Sequence, residues 1–331
     1  MQSLSNVYLT QGISPGAMTV MLQAQRLSTH KQYSTYITAW FTYCSTRAIR
    51  PFMPTVAQTI DFLDHLRNTR NLGYNALNTA RCALSAILPS IDSNSIGRHP
   101  LVRTYMKGAF NIRPPVPRYS STWDPDILLT FLRRWSPHTD IDLKCLTMKV
   151  VMLMLLVSGQ RIQTLFLLDI AEMTVKQDSI SFRILGLLKQ SRPGYRNPLI
   201  VFKKYTVDSN VCVFTYLSEY LKRTKLLRTD NWLFISFKRP HHRASKDTIT
   251  RWVRNVMDYA GLDTNLFRPH SVRSASVSAA KRGGAQVQDI MDTAGWSTSS
   301  TFAKFYDKTM SRPNQFAFDV AVLSSNKNLN G

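Results

Sequence analysis

Apolar residues in the first third of the chain recur at helical spacing. After Tyr36 come Ala39, Trp40, Tyr43 and Cys44; beyond the Pro51/Pro54 break, Ile60, Phe62, Leu63 and Leu66 repeat the pattern. Ala80, Leu84 and Ile87 mark a third helix over 76–88, which Pro89 stops because it cannot continue the hydrogen-bond ladder. No stretch here alternates as a strand does. The pattern predicts a helical domain of four or five short helices over 18–112, after a flexible, polar lead-in over 1–17. Pro114, Pro115 and Pro117 then fall within four residues between Arg113 and Arg118, and favour extended chain. A linker is expected over 113–122.

From Trp123-Asp124 the periodicity resumes, and Leu143 to Ser158 is so apolar that it reads as a buried helix ended by Gly159. Ser179–Ile184 alternates polar and apolar residues, and Leu199–Phe202 is a second strand. Between them Lys189–Arg196 forms a basic turn around Pro193-Gly194. A β-hairpin therefore sits inside a mostly helical domain over 123–309. Further helices are predicted over 212–224, 245–259, 269–282, 287–294 and 298–307, several of them closed by glycine. The tail over 310–331 carries an apolar patch from Phe316 to Leu323.

Charge narrows the choice of partner. Forty-two Lys and Arg face twenty Asp and Glu, a net charge of +22. Such an excess repels itself unless a polyanion neutralises it, so nucleic acid is the leading partner and an anionic membrane surface the second. The longest apolar run, Val150–Val157, is far shorter than the roughly 20 residues a bilayer requires, and the N-terminus lacks the basic start and apolar stretch of a signal peptide. No membrane association is expected. Cys44, Cys82, Cys145 and Cys212 are widely separated. They read as reduced thiols of an intracellular protein, with no zinc-ligand spacing.

The chemistry-bearing residues lie in the second domain. His270 and Arg273, in Arg-Pro-His-Ser-Val-Arg, are three apart at a predicted helix start, where backbone N–H groups and the dipole favour an anion. An imidazole and a guanidinium there can grip one phosphate. Taken singly, such a pair is most often two solvated side chains, Trp296 most often core packing, and Tyr306 a half-buried helix aromatic. Their order is more informative: Gly159-Gln160-Arg161 after a buried helix, Lys189 in a hairpin, His270-x-x-Arg273, Gly295-Trp296, then Tyr306.

This series resembles the signature of the tyrosine recombinases: Arg, hairpin Lys, His-x-x-Arg, His or Trp, Tyr. "Pro-His-Ser-Val-Arg-Ser-Ala-Ser", "Ala-Gly-Trp-Ser", "Thr-Phe-Ala-Lys-Phe-Tyr" and "Arg-Tyr-Ser-Ser-Thr-Trp-Asp" look closest to the recombinases of DIRS- and Ngaro-type eukaryotic retrotransposons. The likeness covers residues 118–310 well and the N-terminal helices only in architecture. Two departures stand out. Thr164 occupies a position where many relatives carry an acidic residue, and Trp296 one where bacterial relatives carry His. The tyrosine also comes one residue later than in bacterial relatives, with Phe305 in the earlier place.

The resemblance implies a mainly α protein: an N-terminal helical, SAM-like core-binding domain and a C-terminal mixed α/β catalytic domain, forming a C-shaped clamp on double-stranded DNA. It implies DNA cleavage and rejoining without metal or cofactor, through a 3′-phosphotyrosine link to Tyr306. Arg161 and Arg273 would clamp the phosphate, His270 relay the tyrosine proton, Lys189 protonate the leaving 5′-oxygen, and Trp296 donate to the phosphate or pack against the others. It further implies a homotetramer on two DNA duplexes, a Holliday junction intermediate, a tail over 310–331 for subunit contacts and a nuclear location. Candidate DNA contacts are Lys31, Arg70 and Arg81 in the first domain, and Arg113 and Arg118 in the linker. In the second domain they are Arg192, Arg196, Arg239, His241, His242, Arg243, Lys281 and Arg282. A relaxing enzyme of the type IB topoisomerase kind and a non-catalytic DNA-binding protein with the same fold are the alternatives.

Overall fold

The computed structural model describes residues 12–116, 121–194 and 197–296, together with residues 5, 8, 9 and 119 and the backbone of 309–310. The chain divides into two compact units, Met1–Pro117 and Arg118–Gly331.

In the first unit, described helices run α1 Pro15–Leu22, α2 Leu27–Ser45, α3 Val56–Thr69, α4 Tyr74–Ser85 and α5 Pro100–Ile112. Residues 15–17, expected in the flexible lead-in, already belong to α1. Ser14 accepts from the Ala17 N–H, and Pro15 sits at a first-turn position where its missing N–H costs nothing. A reciprocal capping box between Thr55 and Gln58 opens α3. Trp40, Phe62, Leu63, Leu77, Ala80 and Leu84 are fully buried in one core. α4 ends three residues before Leu88, although Ile87 and Leu88 stay buried. Their amides turn back to the Leu84 carbonyl, so apolar periodicity outlasts the helix.

The second unit is built around one helix. Its described elements are β1 Ser121–Thr122, α6 Pro125–Arg133, α7 Leu143–Ser158, α8 Ile162–Phe166, β2 Met173–Val175, β3 Ser179–Phe182, β4 Ile200–Lys203, α9 Val213–Thr224, α10 Lys246–Tyr259, α11 Ser271–Arg282, α12 Val287–Ala294 and β5 Thr309–Met310. Asp142 caps α7, which is buried on every face from Leu146 to Leu156 and packs against α9, α10 and α11. A helix apolar all round is a core helix. Lys149 is its one charged buried residue. The ammonium donates to the carbonyls of Leu132 (2.8 Å) and Trp135 (2.6 Å) and lies 3.7 Å from the centre of the Tyr216 ring. Burial pushes its pKa down to about 7, against the pull of Asp208.

Strands β2, β3 and β4 form an antiparallel sheet in that order. The hairpin pairing ends at Phe182↔Ile200, two residues short of the expected strand end at Ile184. The Asn197 amide captures the carbonyls of Ile184 and Gly186 (2.9 and 3.0 Å), ending the ladder there. The edge strand β2 escapes the sequence reading because it has three residues and no buried face. β1 pairs in parallel with β5, Ser121 opposite Thr309 and Thr122 opposite Met310. Residues assigned to the linker and to the start of the tail thus share one sheet. The helix expected over 298–307 lies outside the described residues, as does the tail over 311–331. No helix among the described residues is long and apolar enough to cross a membrane.

Candidate functional site

The site is knotted around the turn that ends α7. Gly159 has φ +56°, where a Cβ is strained, and that Cβ would stand 3.0 Å from the Val277 side chain on α11. Arg273, in the first turn of α11, is buried and donates to the carbonyls of Gly159 (2.6 Å) and Ala294 (2.9 Å). These carbonyls are left by the ends of α7 and α12, which need donors. One guanidinium thereby ties three helix termini together. The same group stacks 4.2 Å from the ring centre of Trp296, which is buried with Val277, Ile290, Met291 and Ala294. Gly295, in the left-handed conformation at φ +71°, ends α12 and turns the chain so that the Trp296 N–H bonds the Met291 carbonyl.

A second set of bonds runs through Gln160. Its amide donates to the Thr293 carbonyl (2.6 Å) and its carbonyl accepts from the Thr164 hydroxyl (3.0 Å). Thr164 therefore fills the place of the expected acidic residue with a buried link between α8 and the end of α12. Ser276 adds a bond to the Leu156 carbonyl.

Arg161, half-buried, stands immediately before α8 and donates to the side-chain amide oxygen (Oε1) of Gln190 at 3.2 Å. Lys189 is the preceding residue, exposed, in the loop between β3 and β4. Gln163 donates to the Leu187 carbonyl (3.1 Å), and Gly186 lies against Leu167, where a Cβ would sit 3.0 Å from a leucine methyl. The loop bearing Lys189 is fastened to the Arg161 segment at three points. His270 is exposed just before α11, and the next residue, Ser271, accepts from the Trp123 indole N–H at 2.9 Å in a buried contact. Arg161, Lys189, His270, Arg273 and Trp296 all lie on these interlocked segments. Tyr306 lies outside the described residues; Thr309, three positions later in the sequence, pairs with Ser121.

The candidate DNA contacts divide by what already holds them. Lys31, Arg70, Arg239, His242 and Arg282 are exposed, as are Arg192 and Lys281. Arg113 is exposed and bonded to Asn71. Arg81 spends its guanidinium on Asn78 and the Gly97 carbonyl. Arg243 lies over the rings of Trp232 (3.3 Å) and Phe166 (3.8 Å) and donates to the Phe166 carbonyl. His241 bonds the Ser236 carbonyl. Arg81 and Arg243 thus brace the fold. Arg118 and Arg196 lie outside the described residues.

Sequence reasoning did not single out Gln160, Gln190, Ser271 or Trp123 as parts of the site. Gln160 and Gln190 each neighbour a candidate residue, and that adjacency was their only signal.

The model of the phage integrase family matches residues 132–312. A comparison with curated protein sequences found no match. Among solved structures, the integrase of the transposon Tn1549 in complex with transposon right end DNA is similar at 12% identity, with a TM-score of 0.59, over 97% of this chain and 98% of that one. The site-specific recombinase XerH, in a post-cleavage complex with palindromic difH substrate, is similar at 15% identity and a TM-score of 0.58, over 82% and 74%. A lambda integrase dimer bound to a COC′ core site gives 14% identity and 0.56, over 96% and 99%. At these identities the likeness is one of fold.

Proposed function

Because this chain belongs to the phage integrase family, the tyrosine recombinases, we propose that it is the site-specific recombinase of a mobile element, acting on duplex DNA. The observation that carries this reading is the knot around Arg273. It ties Gly159, two residues before Arg161, to Ala294, two residues before Trp296.

In the proposed reaction the Tyr306 phenol oxygen attacks the scissile phosphorus and the bond to the 5′-oxygen breaks. A 3′-phosphotyrosine link and a free 5′-hydroxyl result. His270 takes the phenol proton and Lys189 supplies one to the departing 5′-oxygen. Arg161 and Arg273 hold the non-bridging oxygens through charge-assisted bonds, strongest when charge peaks on the phosphorane. Stacking on Trp296 keeps the Arg273 plane fixed, which favours preorganised over mobile donors. A phenol, with an ordinary pKa near 10, leaves more readily than an alkyl hydroxyl, so the link reverses and strands rejoin. A 5′-hydroxyl from a second duplex attacking that link gives the Holliday junction, in a homotetramer on two duplexes. The mobile-element role and a nuclear location rest on the sequence likeness alone.

The test is covalent capture. A nicked suicide duplex from the parent element, incubated in EDTA, should yield a protein–DNA adduct on a denaturing gel. Tyr306→Phe should lose it while DNA binding changes little. An adduct that persists in the variant would overturn the assignment of the nucleophile.

A further inference from the structure

The first unit holds a cleft that the family match, beginning at residue 132, does not reach. It lies between α4 and α5 and has a volume of about 580 Å³. That falls within the usual range of small-ligand sites, about 300–1,000 Å³. Two matched helical stripes line it: Tyr74, Asn78 and Arg81 on one wall, Arg103, Lys107 and Phe110 on the other, and Arg98 lines it as well. Residues at i, i+4 and i+7 share one face of a helix, so both stripes follow from the sequence spacing.

The chemistry of the lining is specific. Arg98, Arg103 and Lys107 are exposed cations, and no carboxylate lines the cleft to neutralise them. Tyr74 and Phe110 meet edge to face, ring centres 5.3 Å apart, and Phe110 is 42% exposed despite its size. An exposed phenylalanine held beside unpaired-for charge is a platform for a flat ring. Arg81 takes a different part. It holds the Asn78 carbonyl oxygen (2.9 Å) and the Gly97 carbonyl, so the remaining capacity of the Asn78 amide is to donate.

We propose that this cleft is a nucleotide site, taking a base and its phosphate outside a duplex. Arg103 and Lys107 receive the phosphate, Phe110 stacks on the base, and Asn78 donates to an acceptor on the base edge. A base within a duplex has both faces covered by its neighbours and offers nothing to an aromatic wall. The shared chemistry has two sources, a free nucleotide or an unpaired nucleotide in a strand.

Anisotropy with the full chain separates them. Labelled dT8 and a blunt duplex serve as probes, with millimolar dAMP as competitor. Phe110→Ala and Arg103→Glu/Lys107→Glu change exposed side chains, and thermal melting checks their folding. Phe110→Ala should weaken dT8 binding about tenfold, the worth of one stacked base, while duplex affinity changes less than threefold. The charge-reversed variant should lose dT8 by a larger factor than duplex. Displacement of dT8 by dAMP places both sources in one cleft, whereas dAMP binding without dT8 binding assigns it to a free nucleotide. If Phe110→Ala leaves dT8 and dAMP binding unchanged, or if strand and duplex fall by one factor in both variants, the cleft is a plain phosphate track and the proposal fails. Covalent capture on the duplex should persist in both variants, which keeps this result separate from the catalytic reading.

Discussion

Gly159→Ala should destabilise the protein by about 1–3 kcal/mol, since it combines a left-handed backbone with a crowded Cβ. Urea unfolding measures this directly. Thr164→Val should cost about 1–2 kcal/mol, because it leaves the buried Gln160 carbonyl without its donor at 1% exposure. If Thr164→Val proves neutral in the same experiment, the hydroxyl does not replace the acidic residue of other recombinases. At this scale Arg161, Lys189, His270, Arg273 and Trp296 stand out in the sequence because each carries distinctive chemistry in a fixed order, and the structure puts them on interlocked segments. Gln160, Gln190 and Ser271 do not stand out, since an amide or hydroxyl acquires its part only from carbonyls and side chains brought in by distant segments.

Whole elements were legible wherever one period persisted. α7 and α12 fall on the predicted bounds because Asp142 and Gly159 punctuate the first and Gly295 ends the second. The hairpin strands came out shifted, since Asn197 breaks the ladder through bonds that alternation does not encode. Lys149 makes α7 responsive to pH. Its folded pKa of about 7 lies below the unfolded value near 10.4. Between these limits the unfolded chain holds a proton that the folded chain lacks, so stability from this group rises with pH from about 7 upward. Below 7 both states are protonated and the burial penalty is constant. The stability of the wild type relative to Lys149→Met should therefore climb between pH 7 and 8.5. Equal slopes in denaturant titrations would show that the carbonyls of Leu132 and Trp135 keep the ammonium charged.

For the molecule as a whole, the net charge of +22 dominates. If the proposed function holds, the affinity for duplex should fall by about 10³ or more between 50 and 200 mM salt, linearly in log–log form, as counterion release requires. A flat dependence would remove phosphate neutralisation as the source of binding. The structure separates two compact units after Pro117, within the proline run between Arg113 and Arg118. The short strand opening the second unit was not legible in the sequence, because its partner lies at the far end of that unit.

That parallel pairing of Ser121–Thr122 with Thr309–Met310 bears on the protein during synthesis. A ribosome delivers the chain from its N-terminus, and units fold as they emerge. Arg161, Lys189, His270, Arg273 and Trp296 all leave the exit tunnel before the strand that closes this sheet. Tyr306 emerges only three residues ahead of Thr309. A nascent chain therefore acquires the proposed phosphate-holding groups before the proposed nucleophile, and a message truncated shortly before codon 306 would encode the proposed grip on DNA without the group proposed to cut it.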